Sequence, residues 1–206
     1  MPSNATFLEV KNAFQSIAGL ESLTAADEFF LTSSLNRAVY RAYNESDSWP
    51  RYLVVGESRL LLTDPAATVP YAEAGQETIG EFLRIHRTQP FLRNSVVEFE
   101  FYVDSTGAHI LNLITADSTS VFVTYKKELQ TNFTPDSTDI PGEFVDYIIY
   151  TALSDFYTGD GQTDKAAMAA AQAKLMLDIE LLRLDKKANN NTINKKFSTY
   201  VNRQAR

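Results

Sequence analysis

Cysteine is absent from this 206-residue chain, and the histidines are only two, His86 and His109. Disulfides, thiol nucleophiles and thiolate metal sites are therefore excluded together. A zinc site would have to lean on carboxylates, and no His-x-x-x-His spacing exists to start one. No apolar run approaches the ~18–20 residues needed to cross a bilayer. The N-terminal MPSNATFLEVKN has neither a basic start nor an apolar segment, so a soluble chain without a secretory signal is expected. On that expectation the Asn-x-Ser/Thr triplets at Asn4, Asn44, Asn132 and Asn190 are ordinary polar sequence.

Catalytic patterns are missing as well. The chain has no G-x-x-x-x-G-K and no G-x-G-x-x-G, so neither phosphate loop is present. Neither histidine accompanies a glycine-flanked serine. His86, within Arg84-Ile85-His86-Arg87, reads as a polar strand or helix edge, and His109 as a solvent-facing residue after a hairpin glycine. Gly159-Asp160-Gly161 lacks the regular acids and closing Glu of a calcium loop. It reads as a helix-to-helix turn using glycine's freedom at positive φ. Glu98 and Glu100 share one strand face, about 7 Å apart by two strand rises, a separation reminiscent of glycosidase pairs. Their alternation with Phe99 and Phe101 makes an ordinary polar outer face. The expectation is a protein that is not an enzyme, with no catalytic residues, no metal and no cofactor.

What is present is enough apolar sequence, 44%, to bury a sizeable core. The net charge of −7 is uneven. Residues 183–206 carry +6, leaving −13 on residues 1–182. An acidic body repels nucleic acid, whereas the basic end suits phosphate or an acidic partner, or simply complements a helix C-terminus.

Residues 6–18 place Phe7, Val10, Phe14 and Ile17 on one helical stripe, closed by Gly19. Thr24 with Asp27 forms a capping-box start for a second helix to about Tyr43, with Leu31, Leu35, Ala38, Val39 and Ala42 on one face. From Trp49 the period changes to that of strands. Tyr52–Val55 and 59–62 flank Gly56-Glu57-Ser58 as a hairpin, and residues 63–80 read as an irregular loop. Phe82 to Arg87 is ambiguous between strand and helix. Val97 to Val103, Ile110 to Ile114 and Val121 to Tyr125 then read as a meander. Helical period resumes at Ile140-Pro141, proline fitting a first turn, with Phe144, Ile148, Thr151 and Asp155 in line. A last helix runs from an N-cap at Thr163 to Lys187, with Met168, Ala171, Leu175, Ile179 and Leu182 as its apolar stripe. Asn189-Asn190-Asn191 is expected to break it and leave an extended tail.

The fold class expected is α+β: a helical bundle formed by N- and C-terminal helix pairs, an inserted antiparallel β-sheet or meander, and an extended C-terminal tail. The segments are 1–48, 49–135, 136–187 and 188–206. Aromatics Tyr147, Tyr150 and Tyr157 with Phe144 make candidate subunit contacts, since acidic neighbours Glu143, Asp146 and Asp155 oppose a nucleic-acid role.

Trp49-Pro50, Val121 to Lys127, Ile140 to Ile148, Ala152 to Asp155 and Gly161-Gln162 before the Ala166–Leu182 helix, in this order, give a chain that resembles the adaptor, or head-to-tail connector, proteins of tailed bacteriophages. The resemblance implies a virion structural protein, assembled in the host cytoplasm into a homo-oligomeric, commonly dodecameric, ring in the neck. Its partners would be the portal protein above and a downstream neck or tail protein below, with DNA passing through the channel and no membrane involved. It also implies that the C-terminal segment docks to the portal, here through Lys187, Lys195, Lys196, Phe197, Tyr200, Val201, Arg203 and Arg206. A tail-completion or terminator ring protein is the alternative, followed by a DNA-binding module acting through the basic tail.

Overall fold

The computed structural model describes residues 4–62, 67–90, 97–111, 120–130 and 132–204, with side chains as far as Asp185. In chain order the elements open with strand β1 (Asn4–Ala5), helix α1 (Phe7–Ala18) and helix α2 (Ala25–Asn44). Eight strands follow: β2 (Leu53–Leu60), β3 (Thr68–Pro70), β4 (Ile79–His86), β5 (Glu98–Phe99), β6 (Phe101–Val103), β7 (Gly107–Ile110), β8 (Ser120–Lys127) and β9 (Ile140–Pro141). A 3-10 turn at Gly142–Phe144 leads into α3 (Val145–Gly159), and α4 spans Thr163–Gln204. The protein is α+β, with four helices and antiparallel sheets among the described residues.

The chain divides into two compact units: residues 1–46 with 130–206, and Asp47–Leu129. In the first, local chemistry fixes the helix starts. Thr6 and Thr24 each accept from the backbone N–H three residues on, and Glu9 and Asp27 reach back to the Thr6 and Thr24 N–H groups. Those reciprocal bonds close two capping boxes. Gly19 ends α1 at φ 71°, a conformation other L-residues resist. α1, α2 and α4 all pack on α3. The buried residues are those spaced for it: Val10 and Phe14 on α1, Leu31, Leu35, Ala38, Val39 and Ala42 on α2, and Ile148, Ala152 and Leu153 on α3. Ile17, assigned to the α1 stripe by spacing, is 48% exposed because the helix ends one residue later, at Ala18, and leaves it at the rim.

Four sequence expectations are corrected here. Ile140-Pro141 does not start a helix; it pairs antiparallel with Asn4–Ala5, and the Phe7 N–H donates to the Ser137 carbonyl at 2.9 Å alongside. Thr163 is the first helical residue rather than the cap, since the Gln162 carbonyl already accepts from the Ala166 N–H at 3.0 Å. The break at Asn189–Asn191 is absent, and α4 continues to Gln204 in place of an extended tail. Asparagine costs only about 0.5 kcal/mol in a helix, and no Gly or Pro follows to stop it. The apolar stripe of α4 lies on the opposite face from the buried one, as described below.

The second unit holds two sheets, ordered β2-β8-β4-β5 and β3-β7-β6. The 52–62 hairpin is instead one strand, β2, in which Gly56 (φ 66°) forms a bulge between Val54 and Glu57; its N–H donates to Thr124 Oγ1 at 3.2 Å. The meander is likewise replaced. β8 lies between β2 and β4, whereas β7 pairs with β6 and with β3, a strand inside the segment read as loop. The residues from Val97 to Val103 split between the sheets at Glu100. Pattern alone gives the strand period but not the partner. Leu61, Val69, Phe82, Ile85, Ala108, Val121, Val123 and Tyr125 form this unit's core, and Trp49 is 1% exposed. The return strand expected over Ile110 to Ile114 lies partly outside the described residues.

Candidate assembly surfaces

α3 is the central helix of its unit, and polar bonds fix what packs on it. Ser34 Oγ donates to Asp155 Oδ2 at 3.0 Å, and the Arg37 guanidinium reaches the same oxygen at 2.6 Å, pinning α2. On the other contact, Ser154 Oγ donates to the Ala166 carbonyl at 3.0 Å. A side chain of α3 touching the backbone of α4 requires close approach, and the alanines permit it. Phe14 of α1 meets Phe156 edge-on, with ring centroids 5.8 Å apart.

α4 has two apolar faces. Ala166, Ala169, Ala173 and Leu177 are buried, at 3–4 spacing. Met168, Leu175 and Leu182 stand at seven-residue intervals on the opposite side, 74%, 50% and 58% exposed, with Ala171 exposed between them. The spacing assigns the apolar stripe to Met168, Ala171, Leu175, Ile179 and Leu182, while the alanines between 166 and 173 suit close approach of a neighbouring helix. The helix instead buries its small residues, where close approach contributes more contact than bulk does. This outward stripe is the feature that sequence reasoning missed, although two stripes half a turn apart were legible in the spacing.

A shallow groove on each flank of α4 separates it from the rest of the unit. One is mixed in charge, lined by Arg41, Glu45, Asp155, Lys174 and Asp178 with Tyr147. The other is apolar, lined by Ile17, Tyr150, Leu153, Tyr157 and Met168, and the Lys165 ammonium lies 5.4 Å from the centre of the Tyr157 ring. Of the candidate subunit contacts, Phe144 is fully buried within its own unit and offers no surface to a neighbour, a correction that follows from its place at the head of α3. Tyr147, Tyr150 and Tyr157 are half-buried in these grooves, so their outer edges alone are available. The tail candidates Lys187, Lys195, Lys196, Phe197, Tyr200, Val201 and Arg203 fall on the backbone of α4, their side chains outside the described residues; Arg206 lies outside them altogether.

The sheet unit gathers its own polar cluster. Arg59 is 1% exposed; its guanidinium contacts the Tyr125 hydroxyl at 2.5 Å, the Glu77 carbonyl at 2.6 Å and Glu57 Oε2 at 2.8 Å. Burial, reinforced by the Glu57 carboxylate beside it, pushes the Tyr125 hydroxyl up to about 12, against the opposing pull of Arg59. Arg59 Nε and Nη1 have no hydrogen-bond partner, so the charge is paired with Glu57 while two buried N–H donors stay unsatisfied. His109, expected to face solvent, is largely buried. Thr68 Oγ1 lies 2.8 Å from Nδ1, Asp104 Oδ2 2.9 Å from Nε2, and the ring stacks on Tyr102 at 4.7 Å. Hydrogen bonds from the Thr106 side chain and backbone, helped by His109, hold the Asp104 carboxyl down at about 2. His86, expected at a polar edge, is buried at 5% exposure on β4, an interior strand in which it pairs with Phe122 of β8 on one side and Glu98 of β5 on the other. Glu98 lies 4.0 Å from Arg84 on the exposed face. Among the described residues no group of three or more His, Asp or Glu is placed to hold a metal, and no helix is long and apolar enough to cross a membrane.

No family model matches this chain, and no curated protein matches it.

Proposed function

We propose that this protein is a structural component of a tailed-phage neck: an adaptor that forms a ring beneath the portal, extends the DNA channel and receives the next neck or tail component. In this reading the N-terminal and C-terminal helix pairs are halves of one bundle, which builds the ring wall, and the sheet unit is the insertion it carries. The observation that carries the reading is a unit made of residues 1–46 with 130–206, interrupted in sequence by a separate unit of 47–129. Two further features suit it. The body is acidic, so DNA passes without being held. α4 is 42 residues, about 63 Å at 1.5 Å per residue, against about 22 Å for the 15 residues of α3. It therefore outruns its packing partner by about 40 Å, and that overhang carries the basic, aromatic segment assigned to portal docking.

Electron microscopy of purified virions is the test. The expected result is a ring of this chain at the head–tail joint, lost from particles assembled with a chain ending at residue 187. Recovery of the protein solely from infected-cell cytosol, with none in virions, refutes the proposal. Undiminished incorporation of the shortened chain refutes the role given to the tail.

A further inference from the structure

β2 is the outer strand of the sheet ordered β2-β8-β4-β5. The outer edge of a sheet is a row of backbone groups to which another chain can add a strand. Here that row is filled from within the chain. Leu62 exchanges two hydrogen bonds of 2.8 Å with Thr68, the residue that opens β3. Carried on in that register, Pro70 would stand opposite Leu60, and proline has no N–H to give. The chain leaves the edge there and returns as a turn at 73–76. The Gln76 N–H closes it by donating to the Glu73 carbonyl at 3.1 Å, and Gly75 holds the third position at φ 83°. The turn lays its two end side chains on β2. The Leu60 N–H donates to Glu73 Oε2 at 3.0 Å, and Gln76 Nε2 donates to the Ser58 carbonyl at 3.3 Å. The ends of such a turn lie within about 7 Å of each other, and alternate residues of a strand about 6.8 Å apart. The carboxylate and the amide thus take the places of the C=O and N–H groups of an added strand.

We propose that the 73–76 turn is an autoinhibitory guard on this edge, and that the occupant it holds off is β2 of a second copy. An edge strand meeting itself antiparallel uses one row twice about a two-fold axis, so no other segment is needed. The two charges of β2, Glu57 and Arg59, pair with each other at 2.8 Å, so no unpaired charge of the strand opposes its counterpart. Val55 and Leu60 on β2 and Leu62 just past its end are 41%, 45% and 44% exposed, apolar surface that pairing would cover. The guard is also a poor substitute for a peptide. Gln76 Oε1 is buried without a hydrogen-bond partner, whereas an added strand satisfies Ser58 without stranding an acceptor. What keeps the turn in place is the residue beside it. The Glu77 carbonyl accepts from the Arg59 guanidinium at 2.6 Å, and the Glu77 carboxylate lies 3.2 Å from Lys127 Nζ. The buried arginine thereby anchors the guard.

Full-length protein carrying Glu73→Ala with Gln76→Ala tests it, leaving Gly75, which the turn needs, in place. Sedimentation velocity and hydrogen exchange at the Leu60 amide are read against wild type across a range of concentrations, with Trp49 fluorescence reporting that each variant is folded. In wild type the Leu60 amide should exchange slowly at every concentration. In the double variant it should exchange at least ~10-fold faster when dilute, then regain protection as concentration rises and association beyond that of wild type appears. Adding Leu60→Pro removes one outward N–H where an edge strand tolerates proline, and should abolish that extra association. Gln76→Glu alone, which sets a carboxylate against the Ser58 carbonyl, should act in the same direction as the double variant. Leu60 exchange unchanged by the double variant, self-association no stronger than that of wild type, or extra association that survives Leu60→Pro overturns the inference. Any assembly through the helical unit is common to all these proteins and cancels in the comparison, so none of these outcomes bears on the neck reading.

Discussion

Leu177 and Leu175 are the same residue two positions apart on α4, and the structure assigns them opposite fates. Leu177 is 8% exposed against α3, and Leu175 is 50% exposed on the outward stripe. Truncating a buried leucine costs about 2–5 kcal/mol, depending on how far the site collapses. Leu177 lines an open groove that relaxes readily, so Leu177→Ala should fall in the lower part, about 2–3 kcal/mol. Leu175 gains about half of a full leucine burial, so Leu175→Ala should cost about 1 kcal/mol or less. For a chain of this length each kcal/mol moves Tm by about 2–4 °C. The expected shifts are thus about 4–12 °C for Leu177→Ala and below about 4 °C for Leu175→Ala, followed by ellipticity at 222 nm. The comparison belongs at low protein concentration, because association through the stripe would itself raise Tm by mass action. Equal shifts, or a larger loss at Leu175, would refute the assignment of the buried face and with it the outward stripe.

Other consequences are open to measurement. Gly107 sits at φ 150° in β7, and a Cβ there would lie 2.1 Å from the Val69 carbonyl oxygen; Gly107→Ala should separate β3 from β7 and cost about 3 kcal/mol or more. Trp49 is the single tryptophan and lies buried in the sheet unit, so urea melts followed by its fluorescence report that loss, and an unchanged midpoint would contradict the close approach. The same assay separates the partners of the buried arginine. Glu57→Ala strands an uncompensated Arg59 and should cost about 3 kcal/mol, while Arg59→Met removes the buried charge and should stay within about 1 kcal/mol of wild type. The reverse order would mean that the guanidinium stabilises the sheet outright. Asp104, held at about 2 against an ordinary 3.8, adds stability that is complete above pH 3.8 and disappears as pH falls through about 2. Carbon NMR of its carboxyl should show that midpoint, and Thr106→Ala should move it back toward 3.8; a midpoint that ignores the substitution would rule out the threonine as cause.

Local signals in this chain were legible and pairwise ones were not. The Thr24–Asp27 box, the Gly19 stop and the α2 face of Leu31, Leu35, Ala38, Val39 and Ala42 follow from spacing, because a helix satisfies its backbone within its own sequence. The sheets do not work that way. β8 reads as a strand from Val121 to Tyr125, but nothing in those residues says that it lies between β2 and β4. Gly56 was read as a turn when it is a bulge, since both need positive φ from the same residue. Ile140-Pro141 misled for a related reason: proline suits a first helical turn and equally a strand position that donates no hydrogen bond. On the candidate surface, the α3 tyrosines were singled out by type and spacing, and they line the grooves beside α4. The α4 stripe was seen but assigned inward, although the alanines between 166 and 173 already suited close approach of a neighbouring helix.

The pairing of Asn4–Ala5 with Ile140–Pro141 sets a timetable for synthesis. α1 and α2 leave the ribosome early, yet the strand that pairs with Asn4–Ala5 and the helix α3 that packs on α2 are encoded some 100–130 residues later. At ~5–20 residues per second that is roughly 5–26 s during which the nascent helical pair keeps an apolar face uncovered. The sheet unit, whose strands all lie between those two points, can complete its own pairing in that interval. The late-made α3 thus closes the first-made part, and a ribosome stalled within the sheet unit would hold an incomplete helical pair open to aggregation.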